Sequence, residues 1–152
     1  MKRTNFRLRL CMTLLLLNLL FIWGNSLMPG ELSSRFSQWI SSVLFGDKIQ
    51  EIPDIDGMHL LRKLAHFSEF AALGGILYWL FCMYSQHKWL QFLLPLAVGT
   101  GVACVDETIQ LFVDGRYGCI TDVCIDAAGV FTGIVLIYLA HKILMKKRLK
   151  RN

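Results

Sequence analysis

ITDVCIDAAGVFTGIVLIYLAHKI, residues 120–143, decides the fold, because beyond Asp122 and Asp126 in its opening turns no charge interrupts it until Lys142. A bilayer's hydrocarbon layer is about 30 Å thick and needs about 20 mostly apolar helical residues to cross it. Working outward, three more stretches approach that length: Leu10 to Leu27, Leu64 to Tyr84 and Trp89 to Ile109. The chain has 152 residues, 55% of them hydrophobic, and a mean hydropathy of +0.48, outside the usual range of a water-soluble domain. The expected fold is an all-α membrane protein. It is a four-helix transmembrane bundle with spans at about 10–27, 64–84, 89–109 and 120–143, forming one integral membrane domain over residues 1–152.

The charges are arranged as a bilayer would sort them. Lys2, Arg3, Arg7 and Arg9 precede the first span, Lys88 lies in the second loop, and Lys142, Lys146, Lys147, Arg148, Lys150 and Arg151 close the chain. These eleven of the sixteen Lys and Arg fall on one side, and no acid does. The positive-inside rule then predicts cytoplasmic N- and C-termini. The same placement argues against nucleic-acid binding, which needs basic residues on a folded surface rather than beside apolar spans. The first span has the basic start and LLLLNLLFIW core of a secretory signal, but GNSLMPG after it lacks a small-x-small cleavage site. An uncleaved signal-anchor is therefore expected. Cys11, Cys82, Cys104, Cys119 and Cys124 show no metal-ligand spacing. Small-hydrophobe packing is their default role, with a Cys119–Cys124 disulfide the alternative.

The loop from about residue 28 to 63 carries its own pattern. Leu32, Phe36, Trp39, Ile40, Val43 and Leu44 recur at helical spacing among serines, Arg35 and Gln38, which predicts an amphipathic helix at about 31–45. It either lies on the outer leaflet or packs over the end of the bundle. Beyond Pro53, Asp54 or Asp56 is placed to cap the next helix.

Polar residues break the apolar pattern at three places: Lys63, His66 and Glu69 entering span two, Asp106, Glu107 and Gln110 ending span three, and Arg116, Asp122 and Asp126 around the start of span four. At about 1.5 Å per residue, Glu69 lies about 8 Å and Asp126 about 9 Å inside their spans, and Asp106 about 25 Å along its own. All three carboxylates reach one depth near the outer surface. Spacings of three or four residues put each group on one helix face, so each can look into a bundle. An intramembrane acid costs about 2.5–3.5 kcal/mol on insertion scales and marks a functional site by default.

Five acids (Glu69, Asp106, Glu107, Asp122 and Asp126) face two cations (Lys63 and Arg116), a surplus of three negative charges. Raised carboxylate pKa values, a divalent cation, a cationic substrate group or an aqueous vestibule would relieve it. His66, Glu69, Asp106 and Asp126 are the candidate catalytic residues, with His66, Glu69 and Asp106 the candidate metal ligands. Lys63, Gln110, Arg116 and Asp122 are candidate substrate-binding residues. Quieter readings exist: Asp122 or Thr121 caps span four, Arg62 and Lys63 anchor span two at the headgroups, Glu107 faces water, and the rest form a structural hydrogen-bond network. Gly129 and Gly133, and likewise Gly74 and Gly75, permit close helix packing.

In order and spacing, Lys63-x-x-His66-Phe67-x-Glu69-Phe70-x-x-Leu73-Gly74, Asp106-Glu107-x-x-Gln110-x-Phe112, and Gly115-Arg116 with Asp122, Asp126 and Gly129 resemble the VanZ-like family. Asn25-Ser26-x-x-Pro29 is similar to that family's turn after span one. At Asp126 the family more often carries an amide, which leaves that residue's role open. The resemblance implies a multi-pass protein of the bacterial cytoplasmic membrane and a link to teicoplanin resistance, a phenotype without a reaction. The expected function is an outward-facing polar pocket that binds an amphiphile or a lipid-linked envelope precursor, or the glycopeptide itself, and alters glycopeptide susceptibility. The alternative is an intramembrane metal-assisted hydrolase or transferase acting on lipid-linked substrates, although no HExxH, GxSxG or P-loop is present. A carrier would want polar groups towards the cytoplasm, where ILYWLF, LLPLAV and GIVLIYLA offer almost none.

Overall fold

The structure, a computed structural model, describes residues 2–45 and 56–149. Among the described residues five helices follow one another: α1 (Lys2–Ser26), α2 (Gly30–Phe45), α3 (Asp56–Tyr84), α4 (Lys88–Gln110) and α5 (Ile120–Leu149). Four are long and apolar enough to cross a membrane, over Asn5–Ser26, Leu60–Tyr84, Lys88–Gln110 and Ile120–Lys147. The helices overrun the apolar limits read from sequence, α3 at its start and α1 and α5 into their basic tails. Lys and Arg are good helix formers, so the backbone ladder continues where the hydrophobic pattern stops. The predicted cap Asp54 lies outside the described residues, as do the side chains of Asp56, Ile40 and Leu44.

Helix α3 is the centre of the bundle, in contact with the other four helices and most extensively with α5. Glycine explains that closeness. A methyl group on Gly74 would land on the carbonyl oxygen of Val130, and one on Gly133 would land on that of Ala71. Without a hydrophobic drive between helices in lipid, such backbone approach is what supplies van der Waals contact. The core consists of Ile22, Phe70, Leu73, Leu77, Tyr78, Ala103, Val130 and Ile134. In the half nearer the chain termini, Tyr78, Phe92 and Tyr138 pack edge against face, their centroids 5.1–6.4 Å apart.

Helix α2 sits at the opposite end. The Gly30 amide donates to the Asp114 carbonyl at 3.0 Å, which pins the start of α2 to the α4–α5 turn, where Gly115 takes φ +71°. Packing over the bundle would bury the apolar stripe of α2, yet Leu32, Phe36, Trp39 and Val43 are all more than half exposed. Among the described residues that stripe is not covered by the bundle, as an interfacial helix would leave it.

Candidate functional site

The polar groups predicted on three helices converge at the α2 end of the bundle, and α1 joins them as a fourth contributor. Asp106, Gln110 and Asp126 are each at most 1% exposed. Ser26, the last residue of α1, donates through its hydroxyl to Asp106 Oδ2 at 2.8 Å, and Gln110 Nε2 donates to the same oxygen at 3.0 Å. The Gln110 carbonyl oxygen in turn accepts from Arg62 Nη2 at 3.0 Å. Two turns deeper along α3 than Arg62, Glu69 Oε1 accepts from Asn25 Nδ2 at 2.8 Å. The network thus ties α1 to α3 and α4, which a four-helix bundle needs if α1 is to be more than an anchor.

His66 Nδ1 lies 4.0 Å from Asp106 Oδ2, and one ligand atom from each of His66, Asp106 and Asp126 falls within 4.8 Å of the other two. Glu69 is outside that group. The metal candidates named from sequence are therefore divided: two come together, and Asp126 takes the third place. Lys63 Nζ and Asp122 Oδ1 pair at 3.4 Å where both side chains are partly exposed. Such a pair is worth about 0–1 kcal/mol. Beside it opens a cleft of about 260 Å³ lined by both signs of charge, including Arg62, Lys63, His66, Asp122 and Asp126.

Arg116 is 6% exposed and holds the end of α1, with Nε donating to the Met28 carbonyl at 3.0 Å and Nη2 to the Asn25 carbonyl at 2.7 Å. Two of its donors are thus spent on carbonyls that a helix C-terminus leaves without partners. Burial, reinforced by the like charge of Arg62, pulls its guanidinium down to about 10, still protonated at neutral pH. Glu107 departs from its predicted exposure: it is 7% exposed, and its Oε2 accepts from the Cys119 amide at 2.8 Å. Cys119 precedes the first residue of α5, so Glu107 satisfies an amide at that helix start, where the dipole favours an acidic side chain. Asp122 stands in the first turn of α5 and uses its carboxylate on Lys63. All five cysteines are free thiols, so the alternative Cys119–Cys124 disulfide is absent.

The model of the VanZ/LLP1 family matches residues 7–141. The chain belongs to the VanZ/LLP1 family. No curated protein and no solved structure matches it. The matched segment holds every residue of the network in this VanZ/LLP1 chain, including three that residue chemistry alone had not placed there: Asn18, whose Nδ2 lies 3.4 Å from the Glu69 carbonyl, Asn25 and Ser26. Their signal was legible, since positions 18 and 25 are two helical turns apart and share the buried face of Cys11 and Ile22. Arg62 was likewise read as a headgroup anchor, whereas its guanidinium turns inward to Gln110. With Arg62 counted, five carboxylates meet three cations, and the surplus falls from three negative charges to two.

Proposed function

We propose that this VanZ/LLP1 protein receives the polar head of an envelope amphiphile, such as a lipid-linked precursor, in the cleft beside Arg62, Lys63, His66 and Asp122. The observation that carries this reading is the cleft itself: a mixed-charge hollow of about 260 Å³ at the end of a bundle whose flanks are apolar. A charged hollow next to lipid suits a molecule that is polar at one end and hydrocarbon at the other. Ile125 and Tyr117 line the same cleft and provide its apolar side. The uncovered stripe of α2, anchored at that end through Gly30, lies in the headgroup region of the same leaflet. In this reading the protein sits in the bacterial cytoplasmic membrane with both termini cytoplasmic and the cleft facing outward, where occupancy changes glycopeptide susceptibility.

Cross-linking tests it. A photoreactive residue in place of Tyr117, in membranes of the native host, is expected to recover a lipid enriched over bulk phospholipid. A photoreactive residue in place of Leu144, at the other end of the bundle, recovers bulk lipid only. Identical lipid profiles from the two positions would end the proposal. The susceptibility arm fails separately if Glu69→Ala with Asp106→Ala leaves the teicoplanin response unchanged while membrane abundance is preserved.

A further inference from the structure

We propose that His66, Asp106 and Asp126 together hold one divalent transition-metal cation of the zinc or manganese type. The orphaned atoms of the site motivate the assignment. Asp126 is 1% exposed, and neither of its carboxylate oxygens meets a hydrogen-bond donor. Asp106 Oδ1 and His66 Nδ1 are also buried without partners. These leftover atoms belong to the three residues whose ligand atoms already lie within 4.8 Å of one another.

Most neighbouring donors are committed elsewhere, the exception being Arg116 Nη1, which is buried without a partner while its Nε and Nη2 hold the end of α1. Ser26 and Gln110 serve Asp106 Oδ2, Asn25 serves Glu69, Arg62 serves Gln110, and Lys63 pairs with Asp122. An ionised buried carboxylate with two empty oxygens costs several kcal/mol unless it is paired or coordinates a metal, and otherwise it takes up a proton. The charge inventory is compatible with that assignment. With all five carboxylates ionised, Arg62, Lys63 and Arg116 leave two negative charges, which one divalent cation would cancel.

The donor set narrows the identity of the ion. Magnesium and calcium prefer oxygen alone, whereas an imidazole nitrogen beside two carboxylates suits zinc or manganese. Three protein ligands leave zinc a coordination position to spare, as in sites that bind or activate a further group. His66 and Asp126 also line the cleft, so the ion would border whatever enters it. The assignment goes beyond the amphiphile reading and stands with the cleft empty.

The test uses full-length protein purified in detergent, stripped with chelator and titrated separately with zinc and manganese. About one ion per chain is expected. Asp126→Asn and Asp106→Asn are expected to weaken binding at least tenfold, while Glu31→Gln, on the exposed face of α2, leaves it unchanged. Helicity and elution volume confirm that the variants are folded. Absence of stoichiometric binding to wild type overturns the proposal. So does undiminished binding to folded Asp126→Asn, or an infrared band of a neutral carboxylic acid that Asp126→Asn removes. If the variants do not fold, manganese bound to wild type must show hyperfine coupling to an imidazole nitrogen, and its absence overturns the assignment. Ion binding with no lipid recovered at position 117 would sink the amphiphile reading alone, and the reverse result would sink the metal site alone.

Discussion

Arg116 shows how one side chain can be mistaken for a ligand-binding group. Its position in a loop between charged helices resembles a site for a phosphate or carboxylate, but two of its donors close on the carbonyls of Asn25 and Met28. A planar guanidinium reaches two carbonyls at once, whereas an ammonium on a flexible stem does not hold that fork. Arg116→Lys is therefore expected to lower stability by about 1–3 kcal/mol, the range for losing a charged hydrogen bond in a buried setting. Thermal unfolding in detergent measures it. An unchanged midpoint would mean that the α1 terminus is held by its turn rather than by this residue. The sequence announced that Arg116 was special, but not that its partner was backbone, because a carbonyl carries no letter.

At the scale of elements, the tightest joint in the molecule is the α3–α5 crossing, and glycine spacing foretold it. Gly133 faces the Ala71 carbonyl with no room for a methyl group, while a methyl on Gly101 of α4 would meet nothing within 4 Å. Gly133→Ala is thus expected to cost about 1–3 kcal/mol through overpacking. Gly101→Ala, which removes backbone entropy without a clash, is expected to gain about 0.5–1 kcal/mol. Unfolding midpoints that shift in opposite directions would verify the pair. A Gly133→Ala variant as stable as wild type would show that α3 and α5 can separate freely.

Helix α1 is the contrasting element. Its leucine-rich run reads as a membrane anchor because lipid-facing leucines dominate the composition. The asparagines at 18 and 25 emerge as a packed face only when the run is followed two turns at a time. The α2 stripe was equally plain in sequence. Whether it met protein or lipid was not, since both need the same spacing, and its exposure among the described residues speaks only against burial by the bundle.

For the molecule as a whole, the polar network and the chain termini occupy opposite ends, so one observation of sidedness fixes the other. The basic tails favour cytoplasmic termini by the positive-inside rule, and the proposed function rests on the outward cleft that this orientation would give. Cys119 provides the probe: it is exposed, lies outside the spans and lines the cleft. Its Sγ sits 3.0 Å from the Thr121 hydroxyl, and that hydrogen bond sets the thiol below its ordinary pKa, so more thiolate is present at neutral pH. In a variant that keeps Cys119 and replaces the other four cysteines, a membrane-impermeant maleimide is expected to label intact cells. Labelling should rise with pH and level off below the pH of an ordinary thiol, and Thr121→Val should move that rise upward. Labelling only after the membrane is opened would reverse the bundle, bring the cleft to the cytoplasm and remove its access to the outer leaflet. The charge bias of the tails would then have been outweighed by cations at the opposite end, among them Arg35, Arg62, Lys63 and Arg116.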